Sequence, residues 1–383
     1  MPARPRNARL ANWQDLMDKI PQTMRAVVYH GPNDLRLEQV PVPRINSSEI
    51  LVRVAACGVC PTDIKKIHFG TVPAPRIFGH ETSGIIARVG TRVRGFTIGE
   101  RVGLHHHVPC LDCHACRHRA FAQCAQYKRT GITAGFEPAG GGFAEYVRVM
   151  PFVFAGMVKI PPRNSFLQGA MLEPVNTVLK AVRRLELMRG DYVLVAGQGP
   201  IGLMFTRLLQ LEKYRVIATD LLDERLRIAR SFGATAILRA DDPDLVSKLR
   251  RTMGKRGLDG AVICAPVDEA VRQAQEAVNG AGKVLLFAHT RRGAETALDL
   301  SKVCVDEKDL IGSYSSDFTL QREVAKLVFT RKIDVERLIT HKFPLEQTAA
   351  AVELSAHPNR DSLKVVVEQV KDRSTVLRKT SNL

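Results

Sequence analysis

The run Tyr192-Val-Leu-Val-Ala196, followed without a break by Gly197-Gln-Gly199-Pro-Ile-Gly202 and then Leu203-Met-Phe-Thr-Arg-Leu-Leu-Gln-Leu211, decides the architecture. A short apolar run entering a glycine turn reads as a buried strand, and the segment after the glycines has the composition of a buried helix. In such a strand–turn–helix unit the glycines permit a tight turn, the approach of the backbone to a pyrophosphate, and close packing of helix on strand. A phosphate placed there meets unpaired N–H groups and the positive dipole end of a helix. Gly197, Gly199, Pro200, Ile201 and Gly202 are therefore candidate dinucleotide-binding residues.

Working outward, strand and helix patterns alternate from about residue 176: Arg215-Val-Ile-Ala-Thr219, a helix from Asp223, Gly260-Ala-Val-Ile-Cys264 and Lys283-Val-Leu-Leu-Phe287. That order predicts a parallel sheet covered by helices, an α/β unit. Asp220 closes the second strand roughly 20 residues beyond the fingerprint, where a carboxylate meets the adenosine ribose hydroxyls and repels a ribose phosphate. NAD is thus expected in preference to NADP. Arg225 and Arg227 lie close by; Arg225 is carried as a cofactor candidate, although both also read as solvated helix residues.

Upstream, from about Met24 to Val149, short alternating runs such as Ile50-Leu-Val-Arg-Val-Ala55 and Ser83-Gly-Ile-Ile-Ala-Arg-Val89 are broken by Gly and Pro, the pattern of a β-rich barrel with few long helices. Downstream of Ser313, helical stretches over Leu320–Thr330 and Leu345–Ser355 precede a strand over Leu363–Glu368, and this tail is expected to pack back on the first unit. The expected division is an N-terminal arm over 1–23, a β-rich domain over 24–175, the nucleotide domain over 176–313 and a returning segment over 314–383. The arm is basic and carries no assigned function; it reads either as an added segment or as chain upstream of a start at Met24.

A chain of 383 residues with 45% hydrophobic and 25% charged residues can bury a sizeable core in two units. No apolar run reaches the ~18–20 residues needed to span a bilayer, and the first segment lacks a signal peptide's apolar stretch, so a cytoplasmic protein is expected. The net charge of +17 admits nucleic acid, an anionic substrate or a merely basic surface. Because the cations are scattered rather than massed, the surface reading is preferred.

Six of the eight cysteines lie between Cys57 and Cys124. Cys110, Cys113, Cys116 and Cys124 form a C-x2-C-x2-C-x7-C array that can wrap four thiolates round one tetrahedral zinc, and a closed site of that kind is structural. An iron–sulfur cluster would want a different last gap and a proline after it. A nucleic-acid-binding zinc ribbon would separate its paired knuckles by a longer insert. Cys264 and Cys304 are read as core packing.

Beyond these, the segments Cys57-Gly-Val-Cys60-Pro-Thr62-Asp63, Gly79-His80-Glu81-Thr-Ser-Gly84, Gly141-Gly-Phe-Ala-Glu-Tyr146 and Glu173-Pro174 stand in one order with the cysteine array and the fingerprint. In this the chain resembles the zinc-dependent medium-chain dehydrogenase/reductase family, above all its polyol, sorbitol and threonine dehydrogenase branch. The resemblance implies a GroES-like β-barrel catalytic domain and a Rossmann doubly wound sheet. It further implies two zinc ions per chain and a homodimer or homotetramer.

By the same resemblance Cys60 and His80 are catalytic-zinc ligands, and Glu81 and Glu173 complete the site or hold its water. Cys57 is left as a buried small residue. Glu173, where related alcohol dehydrogenases carry cysteine, points to the polyol and threonine branch. Thr62 resembles the family's proton-relay hydroxyl; many relatives continue the relay with a histidine three residues on, where this chain has Lys65, with His68 one turn further. Thr177 is placed by resemblance against the nicotinamide, and reads otherwise as a helix N-terminal cap. The run His105-His-His107 is taken as cleft or loop lining, since neighbours in an extended chain point to opposite faces.

The expected reaction is transfer of hydride between a secondary alcohol (a polyol, sugar derivative or amino alcohol) and NAD, with the ketone as product. A sugar-phosphate or primary-alcohol dehydrogenase is an alternative within the class. From another class, a non-catalytic NAD- or nucleic-acid-binding protein that keeps the fold is the rival. Retention of Cys60, His80, Glu81 and Glu173 together argues against it.

Overall fold

The computed structural model describes residues 20–105, 108–129, 140–288, 293 and 295–370; the arm expected over 1–23 lies almost wholly outside them. The chain opens with β1 (Thr23–Gly31), β2 (Asp34–Pro41), β3 (Ile50–Gly58), α1 (Pro61–Phe69), β4 (Arg76–Ile77), β5 (Glu81–Val89) and β6 (Arg101–Gly103). Two short helices, α2 (His114–Arg117) and α3 (Ala125–Arg129), frame the cysteine array before β7 (Tyr146–Val149), β8 (Val158–Lys159), α4 (Phe166–Ala170) and α5 (Leu172–Leu185). β1 joins β2 and β4 in one sheet, while β3, β5, β6, β7 and β8 belong to a second sheet of seven strands.

Alternation then takes over: β9 (Tyr192–Ala196), α6 (Pro200–Leu211), β10 (Arg215–Asp220), α7 (Asp223–Ser231), β11 (Ala236–Arg239), α8 (Leu245–Met253), β12 (Leu258–Ile263), α9 (Asp268–Ala277), β13 (Val278–Leu286), α10 (Leu300–Val305) and β14 (Asp309–Gly312). These strands form one parallel sheet in the order β11-β10-β9-β12-β13-β14. The order reverses at β9, and the carboxyl end of that strand is where such sheets open a crevice for ligands. The fingerprint sits there. Gly197 takes φ 95°, which disfavours any side chain, and a Cβ on Gly202 would lie 1.8 Å from the Gly197 carbonyl oxygen. Helix and strand can therefore meet only because both residues are glycine.

The last stretch supplies α11 (Gln321–Phe329), β15 (Ile339–Phe343), α12 (Thr348–Ala356) and β16 (Lys364–Glu368). Val365, Val366 and Val367 are buried in β16, which lies between β15 and β3 in the seven-stranded sheet. The tail thus returns to the first unit as its sequence pattern predicts. One hydrophobic core joins the two units: Val175, Leu179 and Val182 of α5 share it with Leu203 and Phe205 of α6 and with Val366 of β16. Cys264 packs half-buried at the edge of this core, whereas Cys304, expected inside, is exposed on α10. Its short helix buries none of its residues.

Phe205 is fully buried and meets Phe287 edge-to-face, with ring centroids 4.9 Å apart. Phe205→Ala is expected to cost about 3–5 kcal/mol in chemical denaturation, the range for a large-to-small change in a packed core. The exposed Met188→Ala should stay within about 0.5 kcal/mol of the parent.

Candidate active site

Strand pairing brings the site together. β3 runs antiparallel to β5 with Gly58 opposite Glu81, so Cys60, just past the end of β3, and His80, just before β5, become neighbours. One ligand atom each of Cys60, His80 and Glu81 lies within 4.8 Å of the others. Gly58 makes room for this: a Cβ there would meet Glu81 Oε2 at 1.8 Å.

Each member has a buried partner. His80 Nδ1 lies 3.1 Å from Oδ1 of Asp63, a fully buried residue of α1, which leaves Nε2 as the nitrogen for the cluster. Burial works to lower the His80 pKa, but the Asp63 carboxylate and the Cys60 sulfur prevail and raise it well above the ordinary value. Lys364 at the start of β16 donates from Nζ to Glu81 Oε1 at 2.7 Å and to the Val59 carbonyl at 2.8 Å. Its Nζ is also 2.5 Å from Glu81 Oε2, but only the Oε1 contact has hydrogen-bond geometry, and Oε2 is left buried without a hydrogen-bond partner. Burial raises the Glu81 carboxyl, Lys364 opposes it, and the neighbouring Glu173 pushes the same way as burial.

A thiol, an imidazole and a carboxylate converging in one cleft, with Glu81 Oε2 buried and without a hydrogen-bond partner, suit a zinc ion in chemistry. Glu173, on the first turn of α5 and buried, lines the same cleft but stands outside the tight trio. Thr177 is well inside α5, so the alternative of an N-terminal cap is wrong. Its hydroxyl points back at the Glu173 carbonyl, 3.2 Å, and at Glu173 Oε1, 3.3 Å. Thr62 lines the cleft from α1, together with Lys65 and Lys66. His68, beyond them on the same helix, stacks on His357 with ring centroids 6.3 Å apart.

The cleft has a volume of about 430 Å³, and its far wall is Ile201, Cys264 and Phe287 of the parallel sheet's unit. Above it, Asp220 closes β10 and accepts from the Gln198 N–H at 2.6 Å and the Leu222 N–H at 2.9 Å, which ties it to the fingerprint. No atom lies within 4 Å of a Cβ built on Gly199, the N-cap of α6, so the backbone there is open to a close-approaching ligand. Exposed Leu221 and Val267 follow β10 and β12 on either side of β9. Arg225 is half-buried and reaches the Ser362 carbonyl at 3.4 Å, bridging to the returning segment, while Arg227 pairs with Glu224 at the surface.

In the cysteine lobe the four sulfurs of Cys110, Cys113, Cys116 and Cys124 also lie within 4.8 Å of one another. Burial pushes the Cys116 thiol up to about 12, while backbone N–H donors, working against burial, bring Cys124 down to about 6. Among the described residues, the lobe's core apart from sulfur is Tyr127 with Phe121 against it, a small apolar cluster that a metal held by the four sulfurs would brace. Cys57 is wholly buried, burial raising its pKa to about 12, and it packs as expected. His105 is buried with Nε2 3.5 Å from Ser316 Oγ; residues 106 and 107 lie outside the described residues.

Three residues of the site had no role at the level of sequence. Asp63 stands one helical turn after Cys60, and that spacing was the available signal. Gly58 and Lys364 had none, since their parts depend on strand register.

Comparison with known proteins identifies the family. The family model for the alcohol dehydrogenase GroES-like domain matches residues 46–162, and that for the zinc-binding dehydrogenase matches residues 200–330. Sorbitol dehydrogenase of Bacillus subtilis (strain 168) is 30% identical over 355 residues, covering 91% of this chain and 98% of the relative. A Sinorhizobium meliloti 1021 protein described as a zinc-binding dehydrogenase, solved with NADP bound, superposes with a TM-score of 0.82 at 27% identity, over 91% of this chain and 100% of that one. A short chain alcohol dehydrogenase from Escherichia coli CFT073 in complex with NADH gives 0.79 at 25% identity, over 91% and 100%. The chain belongs to the zinc-dependent medium-chain dehydrogenase family, on its polyol branch. With it go the enzymes that act on CH–OH groups with NAD or NADP.

Gly58→Ala is expected to weaken cobalt(II) uptake at the Cys60 cluster by about tenfold or more, the scale of disturbing a ligand's surroundings. Uptake is read from thiolate-to-cobalt absorption, with the cysteine lobe as internal control. Equal uptake at both sites would contradict the close-approach argument.

Proposed function

We propose that the chain oxidises a secondary alcohol of a polyol, sugar derivative or amino alcohol to the ketone, with NAD as acceptor, and runs in reverse with NADH. The observation that carries this reading is the Cys60–His80–Glu81 trio opening into one cleft with the nucleotide fingerprint. Cys60 and His80 hold a zinc ion, with Glu81 and Glu173 as the carboxylates that complete or relay its shell. Bound there, zinc supplies Lewis-acid polarisation of the alcohol oxygen, and NAD supplies the hydride acceptor.

The chain's own groups do the rest. Asp63 fixes the His80 ring, and Lys364 holds Glu81 against the neighbouring carboxylates. Thr62 relays the alcohol proton, accepting it as its own hydroxyl proton passes on, and Lys65 and His68 lie along α1, with His68 stacked on His357 of the returning segment, to carry it to solvent. Thr177, held by Glu173, lines the cleft on the side where the nicotinamide would sit. Gly197, Gly199, Pro200, Ile201 and Gly202 cradle the pyrophosphate, Asp220 takes the adenosine ribose, and Leu221 with Val267 flank the adenine. Asp220 supports NAD over NADP, because its carboxylate repels a ribose phosphate; Arg225, five residues further on, is the further candidate on the ribose side.

The four cysteines of the lobe hold a second, structural zinc. Lys65 and Lys66 in the cleft also favour a second reading of the substrate, a phosphorylated sugar alcohol. Among the described residues no helix is long and apolar enough to cross a membrane, which is consistent with a cytoplasmic enzyme. The edge strand β14, with Leu310 and the nearby Leu300 and Val305 exposed, supports assembly as a homodimer or homotetramer through the nucleotide unit.

The test is zinc per chain and NAD reduction on wild type and Cys60→Ser, with sorbitol, xylitol, threonine and sorbitol 6-phosphate. The expected result is two zincs in wild type and one in the variant, with turnover of one panel member lost. One zinc in wild type, and no change of metal or activity in the variant, would sink the reading and favour a non-catalytic nucleotide binder. By light scattering the wild type should be an even-numbered oligomer and Leu310→Lys smaller; a monomeric wild type overturns the assembly.

A further inference from the structure

The cysteine lobe touches the cleft through residues that no part of the proposed chemistry uses. Tyr127, on α3 directly after Cys124, is buried, and its hydroxyl lies 2.5 Å from Ser315 Oγ. Ser315 is buried as well and has φ 62°, the left-handed region that a serine enters only when its surroundings hold it there. Phe121 of the lobe packs edge-to-face on Phe318, with centroids 5.4 Å apart. Between these two anchors the segment 313–318 forms a wall of the cleft: Ser313, Tyr314 and Ser315 line it, and Tyr314 is within electrostatic reach of His80, Cys60 and Glu173. From the opposite side α5 grips the same segment, Lys180 Nζ donating to the Tyr314 carbonyl at 2.8 Å and the Asp317 N–H to Asn176 Oδ1 at 2.8 Å.

We propose that the four-cysteine lobe, acting through Tyr127 and Phe121, is a positioning element of the alcohol-binding pocket: it pins Ser315 in its left-handed conformation and so sets where Tyr314 stands over the Cys60–His80–Glu173 face. This rests on the cleft being the alcohol site. Among the described residues, the lobe's core beyond sulfur is Tyr127 with Phe121 packed against it. A metal that orders the four sulfurs therefore orders α3, and α3 orders the pocket wall. The lobe is thereby linked to substrate fit and not only to stability, and Tyr127 is a positioning residue rather than a catalytic one.

The experiment uses the zinc-loaded enzyme and three variants. Tyr127→Phe removes only the hydroxyl and keeps the ring in the lobe. Ser315→Ala removes the other half of the bond, and the double variant Tyr127→Phe with Ser315→Ala tests whether the two act as one contact. Loss of one hydrogen bond is expected to raise KM for the alcohol, and to speed amide hydrogen exchange over 313–318, by about three- to tenfold in each variant, with the double no worse than either single. Zinc content and NADH affinity should match wild type. Ser315→Gly, which accepts φ 62° without strain, should show the same KM rise with no loss of thermal stability. Wild-type KM and wild-type exchange in Tyr127→Phe would overturn the proposal, and so would effects that add in the double variant. Hydrogen exchange reads the link without any substrate. Absence of turnover on every alcohol would therefore count against the proposed function alone, while unchanged exchange would count against the lobe's role.

Discussion

The arrangement turns on one buried ion pair, between Lys364 and Glu81, 283 residues apart in the chain. Both side chains are out of solvent, and the attraction offsets desolvation only while both are present; removing one partner of such a pair costs about 3–5 kcal/mol, because the other charge is left stranded. Lys364 also donates to the Val59 carbonyl, so a single ammonium ties the last described strand to the chain entering Cys60. Its charge is what lets Glu81 stand close to Glu173 and to the Asp63–His80 pair. Take it away and three buried carboxylates face one imidazole.

That pair explains why the returning segment is required at the site and not merely attached to the first unit. β16 enters between β15 and β3, and its register brings Lys364 under Glu81 while the valines that follow fill the sheet. The core that Val366 joins runs through α5 into α6, so the metal-binding face and the nucleotide fingerprint are braced by common packing. Glu173 and Thr177 stand on α5, at the seam between the two units. The cleft is shaped by both units, with Cys60, His80 and Glu173 on one side and Ile201 and Phe287 on the other.

Much of this was legible in the sequence, for physical reasons that differ from place to place. The strand, glycines and helix over residues 192–211 are local, and local patterns survive without knowledge of the fold; the same holds for the sulfur spacing from Cys110 to Cys124. Cys60, His80, Glu81 and Glu173 were readable through their resemblance to a family; strand pairing brings the first three together, and α5 brings Glu173 to the same cleft. Thr177 was misjudged in its alternative reading because its helix begins earlier than the Glu-Pro pair suggests: a helix tolerates proline in its first turn, as α5 does at Pro174. Cys304 was misplaced because an apolar neighbourhood in sequence is not burial. Lys364, Gly58 and Tyr127 were silent, since what each does depends on a partner brought close by register or docking.

The account stands or falls on metal in the cleft, and the most direct measurement is an anomalous difference map at the zinc edge from crystals of the purified enzyme. Two peaks are predicted, one among Cys110, Cys113, Cys116 and Cys124, and one against Cys60 and His80 facing the nucleotide crevice. A peak in the cysteine lobe with none at Cys60 and His80, in protein that still reduces NAD with an alcohol, would contradict it.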